Sequence, residues 1–162
     1  MVLYPLVGLP VRILLAAAGA MLVASGSVHQ YTNFLAVALW PFSGLGVTAG
    51  AHRLWTHGSY KASVLMEALL IVMFSMADQG RITDWCLTHK AHHRFSDTDK
   101  DPHNRARGFW YSHFGWALAG VRIDIPQIDI FHFVSRCSRL VRLHDQCSLV
   151  WDPRSAPSGC RP

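Results

Sequence analysis

The chain has 162 residues, of which 51% are hydrophobic and only 15% are charged, and its formal net charge is +5. It is short enough for one domain at most and too apolar for an ordinary soluble domain, so a membrane protein is the first expectation. The basic excess suits a surface that lies on anionic headgroups, and no nucleic-acid-binding motif accompanies it.

Two apolar segments near the N-terminus predict a transmembrane hairpin. No Lys, Arg, Asp or Glu occurs from Ile13 to Ala51, which is enough for two spans of about 20 residues each. We place the spans at about 13–28 and 34–51. Basic residues flank the hairpin and its turn has none, so both flanks are expected to face the cytosol. A cleaved signal peptide is the alternative interpretation of the first segment.

Two histidine boxes, residues 52–57 and 89–93, follow the apolar segments. Their imidazoles belong to His52, His57, His89, His92 and His93. Histidine is the commonest neutral metal ligand, and a set this dense, without a cysteine or glutamate motif nearby, favours iron over structural zinc. Polar imidazoles beside lipid are energetically unfavourable and are usually retained for a function such as metal binding. The sequence therefore predicts that all five bind metal.

The spacing within each box decides whether its rings can meet. The second box lies on a helix that we predict from 81 to about 95, after a break at 78–80. Its three histidines, at i, i+3 and i+4, fall on one face of that helix. His52 and His57 are five residues apart, about 140° on an ideal α-helix. That pair needs a helix end or a bend to converge.

Three carboxylates follow the second box in a predicted loop. They are Asp97, Asp99 and Asp101. Such acids are compatible with a solvated loop that caps helices. They are equally compatible with support of the metal site, because ligating histidines usually donate their other N–H to a carboxylate or carbonyl. Both interpretations stay open.

The composition changes after residue 116. Serine and arginine become frequent, and residues 152–162 are rich in Pro, Ser and Arg. The sequence thus predicts an all-α membrane protein with a two-span hairpin, a cytosolic helical cap that carries the boxes at 52–57 and 89–93, and an irregular C-terminal tail over 117–162.

The segment from Gly44 to Trp116 contains a set of motifs that is highly specific in combination. They are GLGVTAGAHRLWTH (44–57), SYKA (59–62), Asp84-Trp85, HKAHHRFSDTDKDPHN (89–104) and RGFWYSHFGW (107–116). Together they resemble the membrane acyl-CoA desaturases of the fatty-acyl-CoA Δ9, or stearoyl-CoA, type. Residues 1–116 would then be a partial fatty acid desaturase domain.

This resemblance implies an oxidoreductase of fatty acid biosynthesis that inserts a cis double bond, at the Δ9 position, into saturated fatty acyl-CoA. It implies two iron ions, O2 as oxidant, cytochrome b5 as electron donor, and histidine boxes on the cytosolic side of the endoplasmic reticulum membrane. By position, 52–57 and 89–93 resemble the family's first and second boxes. Trp85 resembles the tryptophan that lines the acyl tunnel. Leu87 and Thr88 stand where many relatives have Arg-Asp near CoA.

A third His-x-x-His-His box, which the resemblance also implies, does not occur in the sequence. We therefore expect an inactive fragment with an incomplete di-iron centre. Two alternatives stay open: a di-iron membrane hydroxylase of lipids, and a non-catalytic shortened isoform that associates with full-length desaturase.

Overall fold

The computed structural model describes residues 3–119 and 139–147. Within these ranges the chain is helical and contains no strand, which confirms the predicted all-α class for them. The α-helices are α1 (Leu3–Ala24), α2 (Gln30–Leu45), α3 (Val64–Met76), α4 (Ile82–Phe95), α5 (Trp116–Ala119) and α6 (Arg139–Cys147). Two π-helical segments, Gly46–Thr56 and Tyr111–Gly115, and a short 3-10 helix, Arg105–Arg107, lie between them.

One helix of the described ranges is long and apolar enough to cross a membrane. It is α2 together with the π-helical segment that continues it, Gln30–Thr56, with a length of 27 residues and a mean hydropathy of 1.5 over its most apolar 18 residues. The apolar helical stretches Pro10–Ala24 and Val64–Met76 are shorter than a span. Of the hairpin predicted at 13–28 and 34–51, the second half coincides with this helix, and the hairpin as a whole stays a prediction.

The core lies where the π-helical segment, α3 and α4 meet. Ala51, Phe74, Ile82 and Cys86 are fully buried in it, and Val141 of α6 joins the same cluster. The core thus holds together the two elements that carry the histidine boxes.

The π-helical segment approaches α3 at Gly46. A Cβ atom at this position would lie 2.2 Å from the Phe74 backbone nitrogen and 2.4 Å from the Met73 carbonyl carbon. No real Cβ contact is that short, so only glycine allows the two backbones to lie so close.

The break between α3 and α4 forms as predicted. Gly80 has a φ of +83° and Asp78 a φ of +49°, left-handed values that interrupt a helix. After it, α4 runs from Ile82 to Phe95 with Arg81 as its N-cap. The predicted helix from 81 to about 95 is therefore confirmed.

Helix α6 corrects the prediction of an irregular tail. Arg139–Cys147 forms a helix, and residues 117–119 belong to α5. The buried positions of α6 are Val141 and the carboxylate Asp145, four residues apart on one face. Apolar periodicity could not predict this helix, because an aspartate does not count as an apolar residue. The rest of 117–162 lies outside the described residues.

Candidate metal centre

Four histidines from the two boxes meet at one point. One ring nitrogen of each of His52, His57, His89 and His93 lies within 4.8 Å of those of the others; we call this the four-histidine cluster. His89 Nε2 is 3.0 Å from His93 Nε2 and 3.4 Å from His57 Nε2. Metal–nitrogen bonds of about 2.0–2.1 Å at angles of 90–110° put two nitrogens on one ion about 2.9–3.4 Å apart. The two measured separations match that range.

The π-helical winding aligns the two histidines of the first box. The His57 backbone N–H donates to the His52 carbonyl oxygen at 3.1 Å, an i→i+5 bond that returns the chain to nearly the same face after five residues. The two rings lie 4.6 Å apart, centroid to centroid, edge to face. His57 is also the C-cap residue, so the predicted helix end is present, but the winding rather than a bend brings the rings together.

The second box contributes two of its three histidines to the cluster. His89 and His93, four residues apart on α4, have ring centroids 4.5 Å apart. His92 is not part of the four-histidine cluster; its Nδ1 lies 2.9 Å from Asp101 Oδ1 instead. A carboxylate acceptor selects the tautomer with Nδ1–H and leaves a lone pair on Nε2, the state of a metal-ligating imidazole.

Asp101 is a buried anion that holds His92 in place. Only 2% of the residue is exposed, and it accepts hydrogen bonds from the backbone N–H groups of Asp97 (3.0 Å) and His103 (2.8 Å) as well as from His92. Burial would raise the pKa of Asp101, but these hydrogen bonds, that of His92 first, outweigh burial and lower the pKa. The carboxylate is therefore ionised at neutral pH.

The other two predicted carboxylates lie at the surface. Asp97 pairs with Arg105 at 3.0 Å, and Asp99 is exposed. Within the described residues, Asp101 is the one member of the predicted trio that contacts a histidine of either box.

Two rings of the four-histidine cluster, those of His89 and His57, have lowered pKa values. Burial is the main cause that lowers the pKa of His89 to about 4, and the neighbouring histidines, His93 first, lower it further. Burial and the adjacent His52 and His93 likewise lower the pKa of His57. A neutral imidazole carries the lone pair that a cation needs, so these two rings are available to a metal at neutral pH.

Trp85 lies against the cluster. Its ring stacks on His89 at 5.0 Å and meets His52 edge to face at 6.4 Å. Its Nε1–H donates to Gln79 Oε1 at 2.7 Å, which fixes the plane of the indole. The predicted contact with an acyl chain stays a prediction.

No pattern in the sequence assigned an individual role to His103. Its ring lies 5.4 Å from that of His92 and 4.3 Å from that of Trp116, and burial is the main cause that lowers its pKa. It therefore forms one wall beside His92. Its position two residues after Asp101 was the available signal, because a backbone N–H there can close a turn onto the carboxylate.

Comparison with known proteins relates the sequence of the chain to one family. No family model matches the chain. The chain is 42% identical over 113 residues to an acyl-CoA Delta-9 desaturase of Acheta domesticus. These residues make up 70% of this chain and 32% of that protein. It is 51% identical over 108 residues to an acyl-CoA Delta(11) desaturase of Spodoptera littoralis, and these residues make up 64% of this chain and 32% of that protein.

A third relative is the stearoyl-CoA desaturase of Sus scrofa, 51% identical over 88 residues, which are 54% of this chain and 24% of that protein. The matches thus span about a third or less of the length of these curated relatives. Over the matched residues, the chain belongs to the acyl-CoA desaturase family.

Proposed function

We propose that this chain supplies part of the di-iron site of an O2-dependent acyl-CoA desaturase. The observation that carries the proposal is the convergence of His52, His57, His89 and His93, whose ring nitrogens lie within 4.8 Å of one another. Packing alone does not explain why four polar rings from two separate boxes converge beside an apolar helix. A bound cation would explain this convergence.

The four-histidine cluster would hold one iron. Two nitrogens on one ion can be at most about 4.2 Å apart, which is twice a metal–nitrogen bond. The four ring nitrogens lie within 4.8 Å of one another, so small ring rotations would bring them to distances that one ion can bridge. His92, with Nε2 directed by the Asp101 contact, would bind the second iron. Iron supplies the one-electron oxygen chemistry that attack on an unactivated C–H bond requires and that side chains lack.

The substrate that we propose is a saturated fatty acyl-CoA, which would receive a cis double bond at Δ9 with electrons from cytochrome b5. The relatives include both Delta-9 and Delta(11) enzymes, and we propose Δ9 because the motifs of residues 44–116 resemble those of the Δ9, or stearoyl-CoA, type. Trp85 would line the acyl chain's path, because its ring already lies against His89.

The proposed setting is the endoplasmic reticulum membrane, in a multi-pass protein whose histidine boxes face the cytosol. Phe34, Val37 and Trp40 of α2 are 72%, 73% and 78% exposed, a surface suited to lipid. His57 follows the end of the Gln30–Thr56 helix directly. The cluster would therefore lie at the membrane surface, where a lipid substrate is accessible.

Metal titration of the full 162-residue chain in detergent tests the site. We expect the four-histidine cluster to bind one Co²⁺ ion, used as a spectroscopic substitute for iron, and His89→Gln to abolish that binding. His29→Gln is the matched control, because His29 caps α2 away from the cluster and should leave binding unchanged. Equal loss in both variants, or no binding by the wild type, would refute the metal centre.

A chimera tests the reaction. Residues 44–116 of this chain would replace the corresponding segment of the Sus scrofa stearoyl-CoA desaturase in yeast that requires unsaturated fatty acids. Growth and oleate formation, both lost with His89→Gln, are the expected results. A hydroxylated fatty acid instead of an alkene would refute desaturation and support the hydroxylase alternative.

A further inference from the structure

The first turn of α4 is held by a carboxylate from the distant helix α6. Asp145 Oδ1 accepts the Ile82 backbone N–H at 2.9 Å, and Oδ2 accepts the Thr83 backbone N–H at 3.3 Å and the Thr83 hydroxyl. The first N–H groups of a helix have no partner within the helix. The N-cap residue Arg81 makes no side-chain cap hydrogen bond, so Asp145 provides from outside what a local cap usually provides.

The burial of Asp145 makes this cap stronger than a surface cap. Only 4% of Asp145 is exposed, and Ile82 is fully buried. A buried carboxylate is tolerated where hydrogen bonds satisfy it, and a negative charge at a helix N-terminus also interacts favourably with the helix dipole. Loss of the carboxylate would leave the two N–H groups without partners in a site that excludes water.

Helix α6 cannot easily move away, because it is tied to α3 as well. His144 Nδ1 lies 3.2 Å from Asp145 Oδ1, and His144 Nε2 lies 3.1 Å from Ser75 Oγ on α3. Val141, one turn earlier, is fully buried in the core cluster. The position of Asp145 is therefore fixed on two sides.

The anchored end of α4 is connected to the metal cluster by a rigid path. Cys86, one turn after Ile82, is fully buried, and its thiol donates to the Ala51 carbonyl oxygen at 3.4 Å, directly before His52. His89 lies about 10 Å further along the helix than Ile82, at 1.5 Å per residue. The height and rotation of the first turn of α4 therefore determine where His89 and His93 meet the first box.

From these contacts we infer that Asp145 is a positioning residue for the metal centre, acting through the N-terminus of α4. The inference rests on the proposed metal site and deepens it. Helix α6 lies outside residues 44–116, which carry the family resemblance, so this support comes from a part of the chain that the resemblance does not cover.

Variants at Asp145 in the full chain test the inference with two independent readouts. The first is Co²⁺ affinity, followed by the visible ligand-field spectrum, and the second is amide hydrogen exchange at Ile82 and Thr83. Asp145→Ala should weaken Co²⁺ binding about fivefold, the equivalent of a typical capping interaction, change the band shape and accelerate both amides. Asp145→Asn retains one acceptor oxygen and should lie between Asp145→Ala and the wild type, which keeps the test valid if the alanine variant does not fold.

Glu67→Gln is the matched control, because Glu67 is the acid in the first turn of α3 rather than of α4 and should leave affinity and exchange within twofold. Accelerated exchange with unchanged Co²⁺ affinity and spectrum would overturn the positioning role and leave Asp145 as a cap only. Unchanged exchange would overturn the cap itself. Absence of Co²⁺ binding by the wild type would refute the proposed metal centre, and with it the positioning role, whereas exchange would still decide the cap.

Discussion

Substitution of Gly46 by alanine tests how closely the π-helical segment must approach α3. The added Cβ would lie 2.2 Å from the Phe74 nitrogen, whereas ordinary van der Waals contact begins at 3.4 Å. The two backbones must therefore separate by about 1.2 Å, since the obstructing atoms cannot rotate away. Overpacking of this kind costs about 2–3 kcal/mol, and the helix preference of alanine over glycine returns about 1 kcal/mol. We expect a net loss of about 1–2 kcal/mol.

Gly44→Ala is the matched control, because no atom lies within 4 Å of a Cβ built there. It retains the favourable helix preference without the clash. Thermal unfolding followed by circular dichroism in one detergent should lower the midpoint of Gly46→Ala by about 3–6 °C and leave that of Gly44→Ala equal to or above the wild type. Equal midpoints for the two variants would refute the close approach.

Three further results follow from the contacts around the site. Asp101→Ala removes the acceptor of His92 and of two backbone N–H groups and should cost about 3 kcal/mol; a thermal midpoint within 2 °C of the wild type would contradict this. Folding lowers the pKa of His89 from 6.5 to about 4, so the contribution of His89 to stability is complete above pH 6.5 and is lost as pH falls towards 4. Between pH 6.5 and 4, the denaturant midpoint of His89→Gln should therefore decline less than that of the wild type. An equal decline in both proteins would exclude His89 as the cause of the pH dependence. Tyr60→Phe removes the hydroxyl that donates to the Ala49 carbonyl oxygen at 2.7 Å and should cost about 1 kcal/mol in the same melts, whereas an unchanged midpoint would show that water replaces the bond.

The sequence predicted α4 well because its signals are local. The break before it contains a glycine with a positive φ, and the spacing of His89 and His93 matches the α-helical turn. The i, i+3 and i+4 spacing of the second box also places its three histidines on one face of α4. It could not show that His92 turns to Asp101, because two rings on one face diverge when a buried carboxylate lies beside one of them.

Three features could not be predicted from local patterns. The alignment of His52 with His57 depends on π-helical winding, and an expectation built on 3.6 residues per turn assigns the pair to different faces. The cap of α4 comes from Asp145, which is 63 residues from Ile82, whereas capping rules consider neighbours in sequence. Likewise, the alternating aspartates of the loop gave no means of choosing Asp101 over Asp97, because the choice is made by burial.

The proposed metal centre would link metal affinity to protein stability through the π-helical segment. An eleven-residue run of i→i+5 bonds is an uncommon winding that other contacts must maintain. In the proposed metal centre, His52 and His57 would face the same ion only while this winding persists. An ion bound by them would therefore stabilise the π-helical form relative to an α-helical or unfolded one. At a free metal concentration of about 100 times the dissociation constant, that stabilisation would amount to about 2.7 kcal/mol. Any substitution that relaxes the winding, even one far from the histidines, should therefore lower metal affinity and thermal stability together.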